Sequence, residues 1–404
     1  MYKIIFAIIL RAGNALTSLA LAVYVAFKFD SETSGAFLYN LNIIIMIGTI
    51  ATLGFNFTTI KYTALIHHKK LDYLAYFKFV VRYLSKPWLL FVIFGLLCSL
   101  YFDKVSVFTV ISIISFSSML IISAYYQGRD LLILSTLSSG LLVNFSFLIS
   151  LFCLDLPNFD LDLMYFIVLI TSLLFFCITL KFPDGENKLN LDIPDLLKTQ
   201  RNNLKTTLLN QSLLFGPIVL GGVFIPNEQI TEYTLANRFS QVFLLIISAV
   251  TLVYIQKFSS AEGDIKEIKK LYLTAMKNSY LSALLALLAV LLLLALSDSL
   301  LFSGTREYKT LASVSYVFYI LIAAQMVNIF NSLTISMLRV CGTGGGTIKP
   351  LFYSTILLII SLPIMVNCLG VVGIAYSVLL VAIYQMVNFL LIVNRFFYGK
   401  ESFF

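Results

Sequence analysis

Residues 105–126 read VSVFTVISIISFSSMLIISAYY and carry no charged side chain. An apolar run of about 20 residues is long enough to cross a bilayer as a helix. Eleven further runs of this kind lie approximately at 4–26, 34–57, 84–101, 131–153, 161–180, 204–225, 233–255, 273–296, 311–338, 350–368 and 371–393. The sequence therefore predicts an all-α polytopic membrane protein with 12 transmembrane helices.

The composition of the whole chain supports this class. Of the 404 residues, 59% are hydrophobic and only 12% are charged, and the mean hydropathy is +0.94. A soluble fold of this composition would expose large apolar patches. The five cysteines are scattered without a CxxC spacing, which indicates apolar packing rather than a disulfide scaffold or a metal site. No cleavage motif follows Lys3, so we expect the first span to be retained.

The basic residues indicate the orientation. The predicted N-terminus, even-numbered loops and C-terminus hold 22 of the 28 Lys and Arg residues, and five lie on the other side: Lys28, Lys104, Arg238, Arg306 and Lys309. Cytoplasmic loops of membrane proteins are enriched in Lys and Arg. Both termini are therefore predicted to be cytoplasmic. We assign the acidic residues to the segments between the runs, so we expect no carboxylate inside the spans.

The chain divides into two similar halves. Residues 181–203 form its one long polar stretch and separate six runs from six. The segment 31–40, which opens the second run, resembles 229–237 before the eighth, with an acid and an Asn at matching places. We predict two pseudo-symmetric six-helix bundles around a central cavity. The N-terminal bundle is placed at 1–181, the cytoplasmic linker at 182–203 and the C-terminal bundle at 204–404.

Three motifs resemble a known family. They are LGFNFTTIKY at 53–62, YTLANR at 233–238 and GVVGIA at 370–375. Together with the number and order of the runs, they resemble the polysaccharide-transport branch of the multidrug/oligosaccharidyl-lipid/polysaccharide (MOP) exporter superfamily, and most closely the O-antigen flippases of the Wzx type. The resemblance covers essentially the whole chain.

The resemblance implies a function and partners. It implies alternating access that flips an undecaprenyl-diphosphate-linked oligosaccharide, such as an O-antigen repeat unit, from the cytoplasmic to the periplasmic leaflet of a bacterial inner membrane. It implies coupling to a H⁺ or Na⁺ gradient, and a polysaccharide polymerase and a chain-length regulator as candidate partners. Asp30 and Glu32 are the nearest titrating candidates for coupling. No enzymatic activity, cofactor or nucleic-acid partner is expected.

Arg11 is the deepest charge that the sequence places in a span. Asn14 follows one turn later on the same helix face. Charged residues in a span usually face a cavity or a partner, and the planar guanidinium suits a diphosphate. The alternative is that Arg11 extends to the inner headgroups. Both interpretations remain open, and we include Arg11 and Asn14 among the candidate substrate-binding residues.

Two further basic residues are candidates. Lys61 lies at the inner end of the second span, just beyond the run 34–57, and it is either a headgroup anchor or a substrate contact. Arg238 opens the eighth run, where it either meets the substrate or pairs with Glu228 or Glu232.

Polar residues in the second half complete the candidate set. The seventh run holds Asn210 and Gln211, and its Gly216 and Pro217 predict a kink that acts in gating. Gln325, Asn328 and Asn331 recur every three residues in the tenth run. These three amides either line a sugar path or join helices by hydrogen bonds.

Other chemistry is not supported by the sequence. The glycine-rich segment 342–346 lacks the Lys-Ser/Thr of a P-loop, and His67 and His68 are adjacent, which does not suit metal binding on one helix face. An O-antigen polymerase-type glycosyltransferase is the alternative from another class, and the short outer loops argue against it. A multidrug antiporter of the same superfamily is the second alternative.

Overall fold

The computed structural model describes residues 2–69, 73–101, 105–154, 160–180, 193–261, 264–300, 307–340 and 344–398. Within these ranges the chain is helical and contains no strand. Two compact units are formed, Met1–Val219 and Leu220–Phe404. The all-α prediction is therefore confirmed.

The first unit contains nine helices in the described residues, and the ninth extends two residues beyond it. They are α1 (Tyr2–Lys28), α2 (Ser31–Ala51), α3 (Phe55–Lys69), α4 (Tyr73–Tyr101), α5 (Val107–Gly128), α6 (Leu132–Thr136), α7 (Leu142–Leu154), α8 (Leu161–Thr179) and α9 (Ile193–Gly221). A π-turn at Leu137–Leu141 joins α6 to α7.

The second unit contains five long helices in its described residues. They are α10 (Asn227–Ser260), α11 (Ile265–Leu300), α12 (Glu307–Val340), α13 (Ile348–Leu369) and α14 (Val371–Tyr398), with a short 3₁₀ turn at Gly344–Thr347.

Eight helical segments in the described residues are long and apolar enough to cross a membrane. They are Ser31–Ala51, Tyr73–Tyr101, Val107–Gly128, Leu132–Cys153, Leu161–Thr179, Tyr316–Leu338, Ile348–Leu369 and Val371–Tyr398. The chain is therefore a multi-pass membrane protein. The count of 12 spans, the cytoplasmic termini and the division at 182–203 stay predictions, although residues 193–203 already belong to α9.

The centre of the first unit is α5, which packs against α2, α3, α4, α6 and α8. Several small serines on α5 allow this close approach, as is common between membrane helices. One of them, Ser123, donates a hydrogen bond to the Ser135 carbonyl at 2.7 Å. At Gly48 on α2, an added Cβ would lie 2.8 Å from Phe116 Cδ1 on α5. The serine-rich run that decided the fold class is thus the element on which its unit is built.

The second unit is built around α12, which packs against α10, α11 and α14. A cluster of buried apolar residues at one end of these helices includes Tyr254, Phe258, Leu333 and Phe389. Polar side chains add specific links: the Tyr272 and Thr334 hydroxyls lie 2.8 Å apart.

Asp30 has a structural role at the start of α2. Its carboxylate is the N-cap and accepts a hydrogen bond from the Thr33 backbone N–H at 2.9 Å. This bond holds the pKa of Asp30 below its ordinary value. Asp30 therefore stays ionised at neutral pH, which is unfavourable for a residue expected to take up and release protons there.

Candidate functional site

Three places in the fold bring polar residues together, and the first surrounds an interrupted helix. Between α6 and α7 the π-turn contains Gly140 with φ 133°, a conformation that a residue with a Cβ rarely adopts. The helical conformation is therefore broken at Gly140, and α6 and α7 meet at a kink. Asn14 on α1 faces this turn, and its Oδ1 accepts a hydrogen bond from Asn144 Nδ2 at 3.5 Å. A Cβ added at Gly140 would lie 3.9 Å from Asn14 Oδ1 and 3.9 Å from Asn144 Nδ2.

Arg11 belongs to the same helix as Asn14 and precedes it by three residues. The backbone of Arg11 lies in α1, and its side chain lies outside the described residues. Residues three apart on a helix are neighbours on its surface. The Asn14, Asn144 and Gly140 cluster, which we call the α1–α7 polar site, is therefore within one helical turn of Arg11. Asn144 and Gly140 were not predicted as site residues.

The second place is the junction between α3 and α9, where Lys61 lies. The chain turns from α2 into α3 at Leu53 and Gly54, which have φ of 50° and 81°. Gln200 on α9 donates a hydrogen bond to the Leu53 carbonyl, and Asn203 donates one to Thr58 Oγ1 at 3.0 Å. The motif LGFNFTTIKY thus forms the surface on which α9 packs.

Lys61 takes part in this junction through exposed contacts. Its Nζ lies 3.9 Å from Asp195 Oδ2 and donates a hydrogen bond to Thr199 Oγ1 at 3.4 Å. The Tyr62 hydroxyl donates to the same Asp195 oxygen at 3.0 Å. These contacts give Lys61 a structural partner within the first unit, and its predicted substrate contact stays a prediction. An exposed ion pair of this kind contributes about 0–1 kcal/mol to stability.

The third place is a ladder of amides between α12 and α14. Asn328 Nδ2 donates to Gln325 Oε1 at 3.4 Å, and Asn331 Nδ2 lies 3.3 Å from Asn328 Oδ1. Asn331 Nδ2 also lies 3.1 Å from the Ala382 carbonyl and 3.5 Å from Gln385 Oε1, both on α14. Asn331 therefore joins α12 to α14 by hydrogen bonds, which is one of the two roles considered for these amides.

Replacing Asn331 by Leu is expected to loosen the contact between α12 and α14. The side chain is only 2% exposed, so Gln385 Oε1 and the Ala382 carbonyl would lose a donor where water has little access. We expect a loss of about 1–3 kcal/mol in unfolding free energy, measured by thermal melting in detergent. Asn388→Leu is the matched control, because Asn388 donates within its own helix to the Tyr384 carbonyl. Equal melting of both variants would contradict the role of Asn331.

The remaining predicted residues are not brought into one described cluster. Asn210 and Gln211 are half-buried on α9, and Gln211 Oε1 is buried without a hydrogen-bond partner among the described residues. Gly216 and Pro217 are buried on the same helix, which continues to Gly221. Arg238 is half-buried on α10. Their substrate and gating roles stay predictions.

One expectation is wrong: a carboxylate does lie inside a span. Asp160 is the N-cap of α8, so Asp162 falls in the first turn of the apolar helix Leu161–Thr179. Asn40 on α2 donates a hydrogen bond from Nδ2 to Asp162 Oδ2 at 2.7 Å. The run predicted at 161–180 already contains Asp162, so this expectation conflicted with the predicted bounds themselves. The available signal was the pair Asp160 and Asp162, since an aspartate that caps a helix places the second residue after it inside the helix.

Comparison with known proteins identifies solved structures that have a similar fold. No protein-family model and no curated protein sequence matches the chain. The solved structure of the lipid II flippase MurJ, in an inward closed conformation, is similar with a TM-score of 0.68 and 15% identity, over 96% of this chain and 87% of MurJ. An inward-facing multidrug resistance MATE family transporter of the MOP superfamily has a TM-score of 0.63 and 16% identity, over 98% of this chain and 100% of the transporter.

A third similar structure is a MOP superfamily transporter from Pyrococcus furiosus, described as having a binding pocket of reversed polarity. Its TM-score is 0.57 and its identity 14%, over 98% of this chain and 95% of that one. The chain thus has the polytopic helical fold of the MATE and MurJ transporters. At these identities the similarity defines the fold alone.

Proposed function

We propose that the protein is a flippase that moves a polyprenyl-diphosphate-linked oligosaccharide from the cytoplasmic to the periplasmic leaflet of a bacterial inner membrane. The observation that carries the proposal is the α1–α7 polar site beside Arg11. Asn14 and Asn144 meet at the break between α6 and α7. Of the three basic residues of α1, Arg11 lies away from the helix ends, one turn before Asn14.

The chemistry of these residues suits a substrate that is both anionic and rich in hydroxyls. An arginine can donate two parallel hydrogen bonds to a phosphate and remains protonated at all physiological pH values. Amide side chains both donate and accept, as sugar hydroxyls require. Similarity to the fold of a lipid II flippase supports the same class of substrate. An O-antigen repeat unit is the proposed cargo, as the three sequence motifs imply.

Deletion of the gene in its native host tests this function. We expect polyprenyl-linked repeat units to accumulate in the cytoplasmic leaflet, and a plasmid copy of the wild-type gene to restore surface polysaccharide. Lipid-linked units would be extracted and their leaflet determined with a membrane-impermeant glycosidase. Accumulation of single units on the periplasmic side would instead indicate a polymerase and would refute the proposal.

A multidrug antiporter is the second candidate, and Asp162 is the observation that favours it. Antiporters that bind cationic drugs generally need a carboxylate within the membrane, and α8 provides one. Drug susceptibility of the deletion strain separates the two functions. Hypersensitivity to cationic drugs with normal surface polysaccharide would support the antiporter.

A further inference from the structure

Asp162 and Asn40 form a polar pair inside the first unit that none of the predicted sites includes. Asn40 is 3% exposed on α2, and Asp162 is partly buried in the first turn of α8. Their side chains are joined by the 2.7 Å hydrogen bond from Asn40 Nδ2 to Asp162 Oδ2. Ser106, the N-cap of α5, acts on the same carboxyl group, and its side-chain oxygen accepts a hydrogen bond from the Phe108 backbone N–H at 3.1 Å. Residues of α2 and α8 and the N-cap of α5 therefore surround one carboxyl group.

The partners of this carboxyl group are neutral. In the part of the chain that the structure describes, no Lys, Arg or His forms an ion pair with Asp162. Among the described residues, the carboxylate of Asp160, before α8, is the charged group that acts on Asp162. The α1–α2 turn carries one basic and two acidic residues, Lys28, Asp30 and Glu32, which precede Asn40 by eight to twelve residues. Neither α5 nor α7 contributes a charged residue, and Lys104, two residues before Ser106, lies outside the described ranges. A carboxylate in this setting is costly to keep ionised.

Aromatic rings pack beside the pair. Phe37 lies one turn from Asn40 on α2, and the titratable Tyr165 lies one turn from Asp162 on α8. Their ring centroids are 6.0 Å apart, and Phe147 on α7 packs against both at 5.4 and 5.3 Å. All three side chains are almost fully buried. The rings limit the access of water from that side and so increase the cost of charge.

The amide of Asn40 is only half satisfied. Its Oδ1 is buried and has no hydrogen-bond partner in the described residues. A buried acceptor without a partner costs about 1–3 kcal/mol. An ionised carboxylate cannot donate to Oδ1, but a protonated carboxyl group can. When a proton binds a carboxylate oxygen of Asp162, a half-turn of the Asn40 amide would present Oδ1 to the new O–H. The pair thus has one arrangement for each protonation state.

We propose that Asp162, with Asn40 as its switching partner, is a proton-binding site of this protein. Uptake of one proton neutralises the carboxylate, and release restores it, with no other bond made or broken. We assign the ligand as H⁺, because a protonated carboxyl group supplies the O–H donor that the buried Oδ1 of Asn40 lacks. The same oxygens could also ligate Na⁺, and the test below separates the two ions. The link of this proton to cargo movement rests on the proposed flippase function, whereas the binding itself does not.

Infrared difference spectroscopy of the full-length protein in a lipid film tests proton binding without any cargo. Titration over roughly pH 4–9 covers the range in which buried carboxyl groups are protonated. We expect a protonated-carboxyl C=O band that is absent from D162N and retained in D160N. The D160N control removes a neighbouring exposed carboxylate, while asparagine retains the helix cap. Asn40→Leu should keep the band and change its frequency, because the amide contact is lost.

Two results would overturn the proposal. One is an identical set of pH-dependent bands in wild type and D162N, when thermal melting shows that both proteins are folded. The other is loss of the wild-type band on adding Na⁺ at constant pH, which would assign the site to sodium. A second measurement then tests the coupling: proteoliposomes containing D162N should lose the response of oligosaccharide flipping to an imposed pH gradient. Absence of flipping by wild type would refute the flippase function and leave the spectroscopic result standing.

Discussion

Replacing Arg11 by glutamine should reduce the rate of flipping roughly 30- to 700-fold. The reason is the loss of a charged partner for the diphosphate, which we expect to cost about 2–4 kcal/mol. Arg11→Lys should lie between this variant and wild type, because a lysine keeps the charge but loses the planar pair of donors. The measurement is the initial rate of appearance of lipid-linked oligosaccharide in the outer leaflet of proteoliposomes at matched protein content.

The control for Arg11 is the same substitution at an exposed arginine. Arg82 lies on the exposed surface of α4, and Arg82→Gln should leave the rate within about twofold of wild type. Wild-type rates in both Arg11 variants would show that this side chain extends to the headgroups instead. An equal loss in Arg82→Gln would indicate a general effect of basic residues on insertion or orientation.

Gly54→Ala should destabilise the first unit by about 2–5 kcal/mol. Gly54 has φ 81°, and an added Cβ would lie 2.6 Å from the Leu204 backbone nitrogen and 2.7 Å from the Gln200 carbonyl oxygen. The obstructing atoms belong to the backbone of α9, so a change of rotamer cannot relieve the overlap. Thermal melting in detergent measures the effect, and we expect a clear fall in melting temperature together with low yield.

Gly13→Ala is the matched control for Gly54. Gly13 lies in α1, and an added Cβ there has nothing within 4 Å. Alanine also favours a helix over glycine by about 1 kcal/mol. Gly13→Ala should therefore melt at the wild-type temperature or slightly above. If Gly54→Ala behaved in the same way, the packing of α9 against the α2–α3 turn would be wrong.

The class of fold could be predicted from the sequence, because a long uncharged run has few structural solutions other than a membrane helix. The run at 105–126 is such a case, and it corresponds to α5 (Val107–Gly128). The lengths of the helices were less predictable. Basic residues continue well into two long helices: Arg82 and Lys86 lie within α4, which begins at Tyr73, and Lys277 lies within α11, which begins at Ile265. Charge marks where a helix leaves the bilayer, not where the helix ends.

The site was predictable only where one helix carried the signal. Asn14 follows from its spacing to Arg11 on α1, and the stripe Gln325, Asn328 and Asn331 follows from its period on α12. Asn144 and Gly140 become part of a polar site only because α1 packs beside the α6–α7 turn. Likewise, Asp162 and Asn40 are separated by 122 residues and become a pair through the packing of α2 and α8. Contacts of this kind depend on tertiary structure, which periodicity does not encode.

The junction between α3 and α9 also sets the order in which the protein can mature on the ribosome. Gln200 and the Leu53 carbonyl that it holds are separated by 147 residues, so the α2–α3 turn is synthesised long before its partner. Until residue 204 has emerged, two residues with positive φ have no α9 to hold them. We therefore expect an N-terminal fragment ending near residue 181 to be less stable than one that includes α9, and more readily cleaved by membrane quality-control proteases. The shortest N-terminal fragment that survives them should reach beyond Leu204.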